Sequence, residues 1–122
     1  MTRRQRRGRD RVAELDQLYA ELPAIECRGL CHESCNAIAM TPLERQRIRE
    51  RGFDISPLDL PCPALTQLRR CSVRDVRPMV CRLYGLVEQM ACPFGCRPEG
   101  GFLDDATARR LLARAEAIGG RP

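Results

Sequence analysis

Lysine is missing from this 122-residue chain: all 21 basic residues are arginine, which reads as the codon bias of a GC-rich genome. Tryptophan is missing too, and three Phe and two Tyr bring the aromatic share to only 4 %. Nine Pro and nine Gly thin the supply of core-forming residues further. A domain this small with so little to bury ordinarily needs a covalent or metal staple. Other lacks narrow the chemistry. No Ser/His/Asp arrangement, Gly-rich phosphate loop or paired catalytic carboxylate stands out, and His32 is the only histidine. No apolar run approaches the length that crosses a bilayer. The basic start "MTRRQRRGRDRVAELDQL" has no apolar segment behind it, so neither a secretory signal nor a twin-arginine export signal is expected.

What the chain does have is eight cysteines: Cys27, Cys31, Cys35, Cys62, Cys71, Cys81, Cys92 and Cys96. The absence of an export signal points to the cytoplasm, where thiols stay reduced and clustered cysteines read as metal ligands more often than as disulfides. Thiolate is a soft ligand suited to zinc or an iron–sulfur cluster. Close pairs on turns reach one centre without strain, and Cys27/Cys31, Cys31/Cys35 and Cys92/Cys96 are such pairs. Cys62, Cys71 and Cys81 are wider apart and must be gathered by the fold. Eight thiols fill two four-thiolate sites or one site with extra cysteines beside it, and spacing does not pair them. His32 follows Cys31 directly, where sharing one metal is awkward, so it reads as a neighbour of the site rather than a ligand.

Charge divides the chain in two. Six arginines stand in residues 1–11 against one acid, Asp10, and the remaining 15 arginines balance 15 acids. The segment 1–11 reads as a basic, disordered arm, with phosphate contact as the less favoured alternative. Residues 12–122 read as a single cysteine-cluster domain.

The expected class is mostly α, a small metal-organised domain with irregular cysteine-bearing loops and a short hairpin. Val12, Leu15, Leu18, Tyr19 and Leu22 recur at helical spacing, with Asp10 as cap and Pro23 as stop. "TPLERQRIRERG" carries Thr41 as N-cap, Pro42 at the first position, Glu44 closing a capping box and Gly52 as stop, with a solvated Arg/Glu face. "CPALTQLRRC" reads as a hairpin or tight turn between Cys62 and Cys71. Another helix begins at Pro78 with Cys81 in its first turns, and "ACPFGC" is a thiol-bearing turn shaped by Pro93 and Gly95. In the last helix Asp104 or Asp105 is a cap rather than a metal site. Its apolar face is Leu111, Leu112, Ala115 and Ile118, and Gly119 closes it.

The blocks "CRGLCHESCN", a Thr-x-x-Glu helix, "CPAL" and "CSVRDVRPMVCRLY" together resemble the zinc- or iron-chelating cysteine-cluster family with the signature C-x3-C-x2-C-C. Its members are often labelled Fe–S oxidoreductases. The likeness runs from Cys27 to Tyr84, and its most specific part is Cys71 to Tyr84. It implies metal ligands at Cys27, Cys31, Cys35, Cys62, Cys71 and Cys81. Ser34 stands where the family has the first cysteine of its C-C pair, and Arg74 where it has tyrosine. Cys92 and Cys96 are then candidates to supply the lost thiolate.

A radical enzyme is excluded, because that signature needs C-x3-C-x2-C in a large partial barrel. Three functions remain. One is an iron–sulfur protein in redox or electron transfer, and the resemblance leans to this. Another is a closed structural zinc module that binds a protein, or nucleic acid through the arginine arm. The last is a metal-handling protein with exchangeable thiolates. No membrane partner is expected. Arg77 and Arg82 flank Cys81, where they steady thiolate charge or pair with acids such as Asp75.

Overall fold

The computed structural model describes residues 2–25, 40–54, 74–93 and 95–121. About 60 % of these residues are helical, and no sheet forms among them. The mostly helical class is as expected. Four α-helices appear in the order α1 (Arg3–Ala20), α2 (Pro42–Arg49), α3 (Met79–Leu83) and α4 (Asp105–Gly119). Single 3-10 turns occupy Arg74–Val76 and Glu88–Met90. None of the described helices is long and apolar enough to cross a membrane.

Helix α1 takes in most of the basic segment 1–11. It starts at Arg3, and Asp10 lies inside it rather than capping it. A capping box starts it. Gln5 N–H donates to Thr2 Oγ1 at 3.1 Å, and Thr2 N–H donates to Gln5 Oε1 at 2.8 Å. Arginine is a good helix former, so once two terminal donors are satisfied the basic run continues as helix. Leu15, Leu18 and Tyr19 are buried as their spacing required, and Val12 and Leu22 pack at the margin.

Helix α2 begins on the expected Thr41 cap and Pro42 and stops before Gly52, whose φ is 90°. Helix α4 is capped by Asp104, whose Oδ1 accepts from Thr107 N–H at 2.7 Å. Its buried stripe is Ala108, Leu111, Ala115 and Gly119. Leu112, expected on that face, is instead 37 % exposed, since it lies one residue around the helix from Leu111. One apolar cluster joins the four helices: Leu15, Leu18, Tyr19, Leu43, Met79, Leu83, Val87, Ala108, Leu111 and Ala115. Arg11 fastens α1 to the end of α4 by donating from Nε to Ile118 O at 2.8 Å, where a cation meets unpaired helix carbonyls.

Two adjacent glycines end α4, and they serve different needs. Gly120 has φ 95°, a conformation costly to any residue with a Cβ. Gly119 is helical, but a Cβ there would lie 2.3 Å from Thr41 Oγ1 and 2.8 Å from Thr41 Cβ. The end of α4 therefore rests on the cap of α2 with no room for a methyl group. Gly119→Ala is expected to destabilise the fold by about 1–3 kcal/mol, despite alanine's better helix propensity. A melting temperature equal to or above that of the wild type would contradict this contact.

Exposed carboxylates bind the surface loops. Arg51 holds the Asp75 carboxyl below its usual range, and Arg49 and Arg45 do the same for Asp54. The Thr107 hydrogen bonds lower Asp104 likewise. Each folded-state value lies below the unfolded one. The contribution is thus present above the unfolded range, near pH ~4, and is lost as pH falls through the folded values. Thermal melts should show stability declining below about pH 4. In an NMR titration Arg51→Gln should raise the Asp75 value toward that of a free aspartate, and an unmoved Asp75 would refute the pairing.

Candidate metal centre

Three of the eight cysteines, Cys81, Cys92 and Cys96, are among the described residues. Cys27, Cys31, Cys35, Cys62, Cys71 and His32 lie outside them, as does the expected Cys62–Cys71 hairpin. Cys81 sits in α3, which is entered at Pro78, its N-cap, as expected but runs only to Leu83, because the chain turns at Gly85 with φ 86°. It is half-buried.

What places Cys81 is a residue that was read only as half of a capping box. Glu44 is 2 % exposed, not part of a solvated face. Its Oε1 accepts from Thr41 N–H at 3.1 Å and from Thr41 Oγ1 at 2.9 Å. Its Oε2 accepts from the Tyr19 hydroxyl at 2.5 Å and from Met79 N–H at 2.6 Å. Four donors from α1, α2 and the start of α3 thus close on one buried carboxylate. Met79 is the first residue of α3, two before Cys81, so the contact fixes where that helix begins.

Burial, with the Glu44 charge next to it, pushes the Tyr19 hydroxyl far above its ordinary value. Tyr19 therefore serves as a fixed donor. Above its ring lies the Arg82 guanidinium, 3.8 Å from the centroid. Arg82 donates from Nε to Arg77 O at 2.6 Å and from Nη2 to Asp75 O at 3.0 Å. It takes the Asp75 carbonyl, while the Asp75 carboxylate belongs to Arg51. Desolvation lowers the Arg82 pKa from its usual value.

The second thiol element is the turn Cys92–Cys96, and both cysteines are buried. Gly95, φ 87°, closes it by donating its N–H to Cys92 O at 3.2 Å. Arg97 then clamps the turn: its Nη1 donates to Cys92 O at 3.2 Å and to Cys96 O at 2.9 Å. The same guanidinium lies 5.4 Å from the Phe102 centroid. Pro93 and Gly95 were legible in the sequence, whereas the Arg97 clamp was not.

Ile25 connects these parts. It forms an antiparallel bridge with Pro98, supported by Glu99 N–H donating to Ala24 O at 2.7 Å. Its Cδ1 also approaches Gly85 so closely that a Cβ there would stand 3.1 Å away. Ile25 is two residues before Cys27, Pro98 two after Cys96, and Gly85 four after Cys81. The chain therefore leaves for its first cysteine cluster from beside both described thiol elements. Among the described residues, no three of His, Cys, Asp and Glu form a group that could hold a metal. Cys81, Cys92 and Cys96 make no cage by themselves.

Comparison with known proteins found no matching family model, no matching curated protein and no matching solved structure.

Glu44 accounts for a sharp stability expectation. Glu44→Ala leaves four buried donor contacts unmet, at about 1–3 kcal/mol for each unsatisfied donor, and should cost well over 3 kcal/mol. Glu44→Gln should also destabilise, because its amide NH2 must face groups that themselves donate. Tyr19→Phe removes one charge-assisted bond and should cost about 1.5–3 kcal/mol. Chemical denaturation checks the order, and a Glu44→Ala variant no weaker than Tyr19→Phe would overturn it.

Proposed function

We propose that this protein is a metal-binding protein that holds an iron–sulfur cluster or zinc through cysteine thiolates, as the cysteine-cluster resemblance implies. The observation that carries the reading is the meeting at Ile25. Ile25 pairs with Pro98, just past the Cys92–Cys96 turn, and approaches Gly85, just past the Cys81 helix, and Cys27 is two residues further along the sequence. The ligands are drawn from Cys27, Cys31, Cys35, Cys62, Cys71, Cys81, Cys92 and Cys96.

The donor chemistry fits the group. Soft sulfur ligands on a tight turn suit both zinc and iron–sulfur centres. Arg97, tied to the carbonyls of both cysteines, keeps positive charge beside the turn. When bound, an iron–sulfur cluster supplies one-electron redox chemistry, tuned by burial and by hydrogen bonds to sulfur. The burial of Cys92 and Cys96 supports a resident centre over an exchangeable cargo. The iron–sulfur form is the one the resemblance favours, with closed structural zinc as its alternative.

Elemental analysis with a visible absorption spectrum on anaerobically purified protein tests this. Stoichiometric iron with absorption in the visible is expected, while colourless stoichiometric zinc would select the alternative. The Cys92→Ser/Cys96→Ser double variant should lose metal and melt earlier, because binding and folding are coupled at thiolate sites. A metal-free wild-type chain that is reduced, compact and cooperative would sink the proposal.

A further inference from the structure

The first turns of α1 are a charge anomaly. Residues 2–7 and 9–11 are exposed, and Arg3, Arg4, Arg6, Arg7, Arg9 and Arg11 stand there with Asp10 as the only acid. Six arginines of the body are placed differently. Arg45, Arg47, Arg49, Arg51, Arg109 and Arg114 each reach an aspartate or glutamate within 3.1 Å. Among the described residues, no such acid meets Arg3, Arg4, Arg6 or Arg7.

The placement also works against the helix. The first turn of α1 has no acidic residue. Cations at a helix N-terminus oppose the macrodipole. Like charges at spacings of three and four, as in Arg3/Arg6, Arg3/Arg7 and Arg4/Arg7, repel. Among the described residues, 3–7 contribute nothing to the apolar cluster. An anion bound there would relieve both the dipole conflict and the mutual repulsion.

The composition selects among anions. No apolar side chain occurs from Arg3 to Arg11, so this stretch has nothing to insert below lipid headgroups. It has no aromatic residue either, so it offers no platform for stacking the bases of a single strand. What remains is a run of guanidinium forks at Arg3, Arg4, Arg6 and Arg7, suited to bidentate phosphate contact and spread over about 6 Å of helix. A duplex presents charge at comparable density, about one per 1.7 Å of its axis.

We propose that the N-terminal half of α1 is a nucleic-acid-binding element that grips the phosphate backbone of a duplex without reading its sequence. The proposal stands independently of the metal, since it uses no cysteine.

The test is fluorescence anisotropy of labelled DNA and RNA duplexes with the protein as isolated, between roughly 50 and 200 mM salt. Both duplexes should bind, with log affinity falling against log salt at a slope of about −4, near −0.9 for each of four phosphates. The fourfold variant Arg3→Gln, Arg4→Gln, Arg6→Gln, Arg7→Gln should lose at least tenfold in affinity at low salt and most of that slope. Its far-UV circular dichroism and metal content should be unchanged. The matching fourfold arginine-to-lysine variant should keep the slope, which separates lost charge from lost helix. A flat salt dependence, undiminished binding by the glutamine variant, tighter binding to single strands, or tighter binding to phosphatidylserine vesicles or polyglutamate at equal charge would each overturn the proposal.

Discussion

A carboxylate taken out of water must find donors or lose its charge, and Glu44 finds four. Thr41 and Glu44 are the buried polar residues of the described fold, and they bond to one another. The cluster is directional where the apolar core is not. Leucines tolerate small slides between helices, but a carboxylate with both oxygens occupied by α1, α2 and α3 permits one arrangement. Arg82 extends the lock outward by lying on the Tyr19 ring while gripping the carbonyls ahead of α3. Position and charge around Cys81 thus depend on a glutamate 37 residues earlier in the chain.

Local rules made the helices legible, and long-range contacts hid the rest. The Thr41–Pro42–Glu44 start, the Asp104 cap, the buried stripe of α1 and the Cys92–Cys96 turn follow from residue types within one or two turns of one another. The second role of Glu44 could not be read this way. Its partners Tyr19 and Met79 are 25 and 35 residues away. The same T-x-x-E string on a surface helix would have the solvated face first expected for it. In the basic segment the local signal of a helix start is the Thr2–Gln5 pair, beside which the charge is conspicuous. Gly119 looked like a stop signal, and its lack of a side chain instead makes room for Thr41.

The scarcity of aromatic residues suggested a core that sulfur and metal must replace, and the described helices qualify that argument. The apolar cluster joining α1 to α4 contains no cysteine. Cys92 and Cys96 are buried beyond it, in a turn held by Gly95 and Arg97. Leucine, methionine and alanine hold the helices; of the three described thiols, Cys81 lies in α3 and Cys92 and Cys96 lie outside the helices. Ile25 is where the two systems meet, because it touches Gly85 just past α3 and pairs with Pro98 just past the turn. A centre bound there would tie α3, through Cys81, to the Cys92–Cys96 turn. On this view the helical core supplies a fixed frame and the sulfur ligands close the chain onto it. Among the described residues, that division leaves the apolar cluster to Leu, Met, Ala, Val and Tyr, in a domain with so few large side chains.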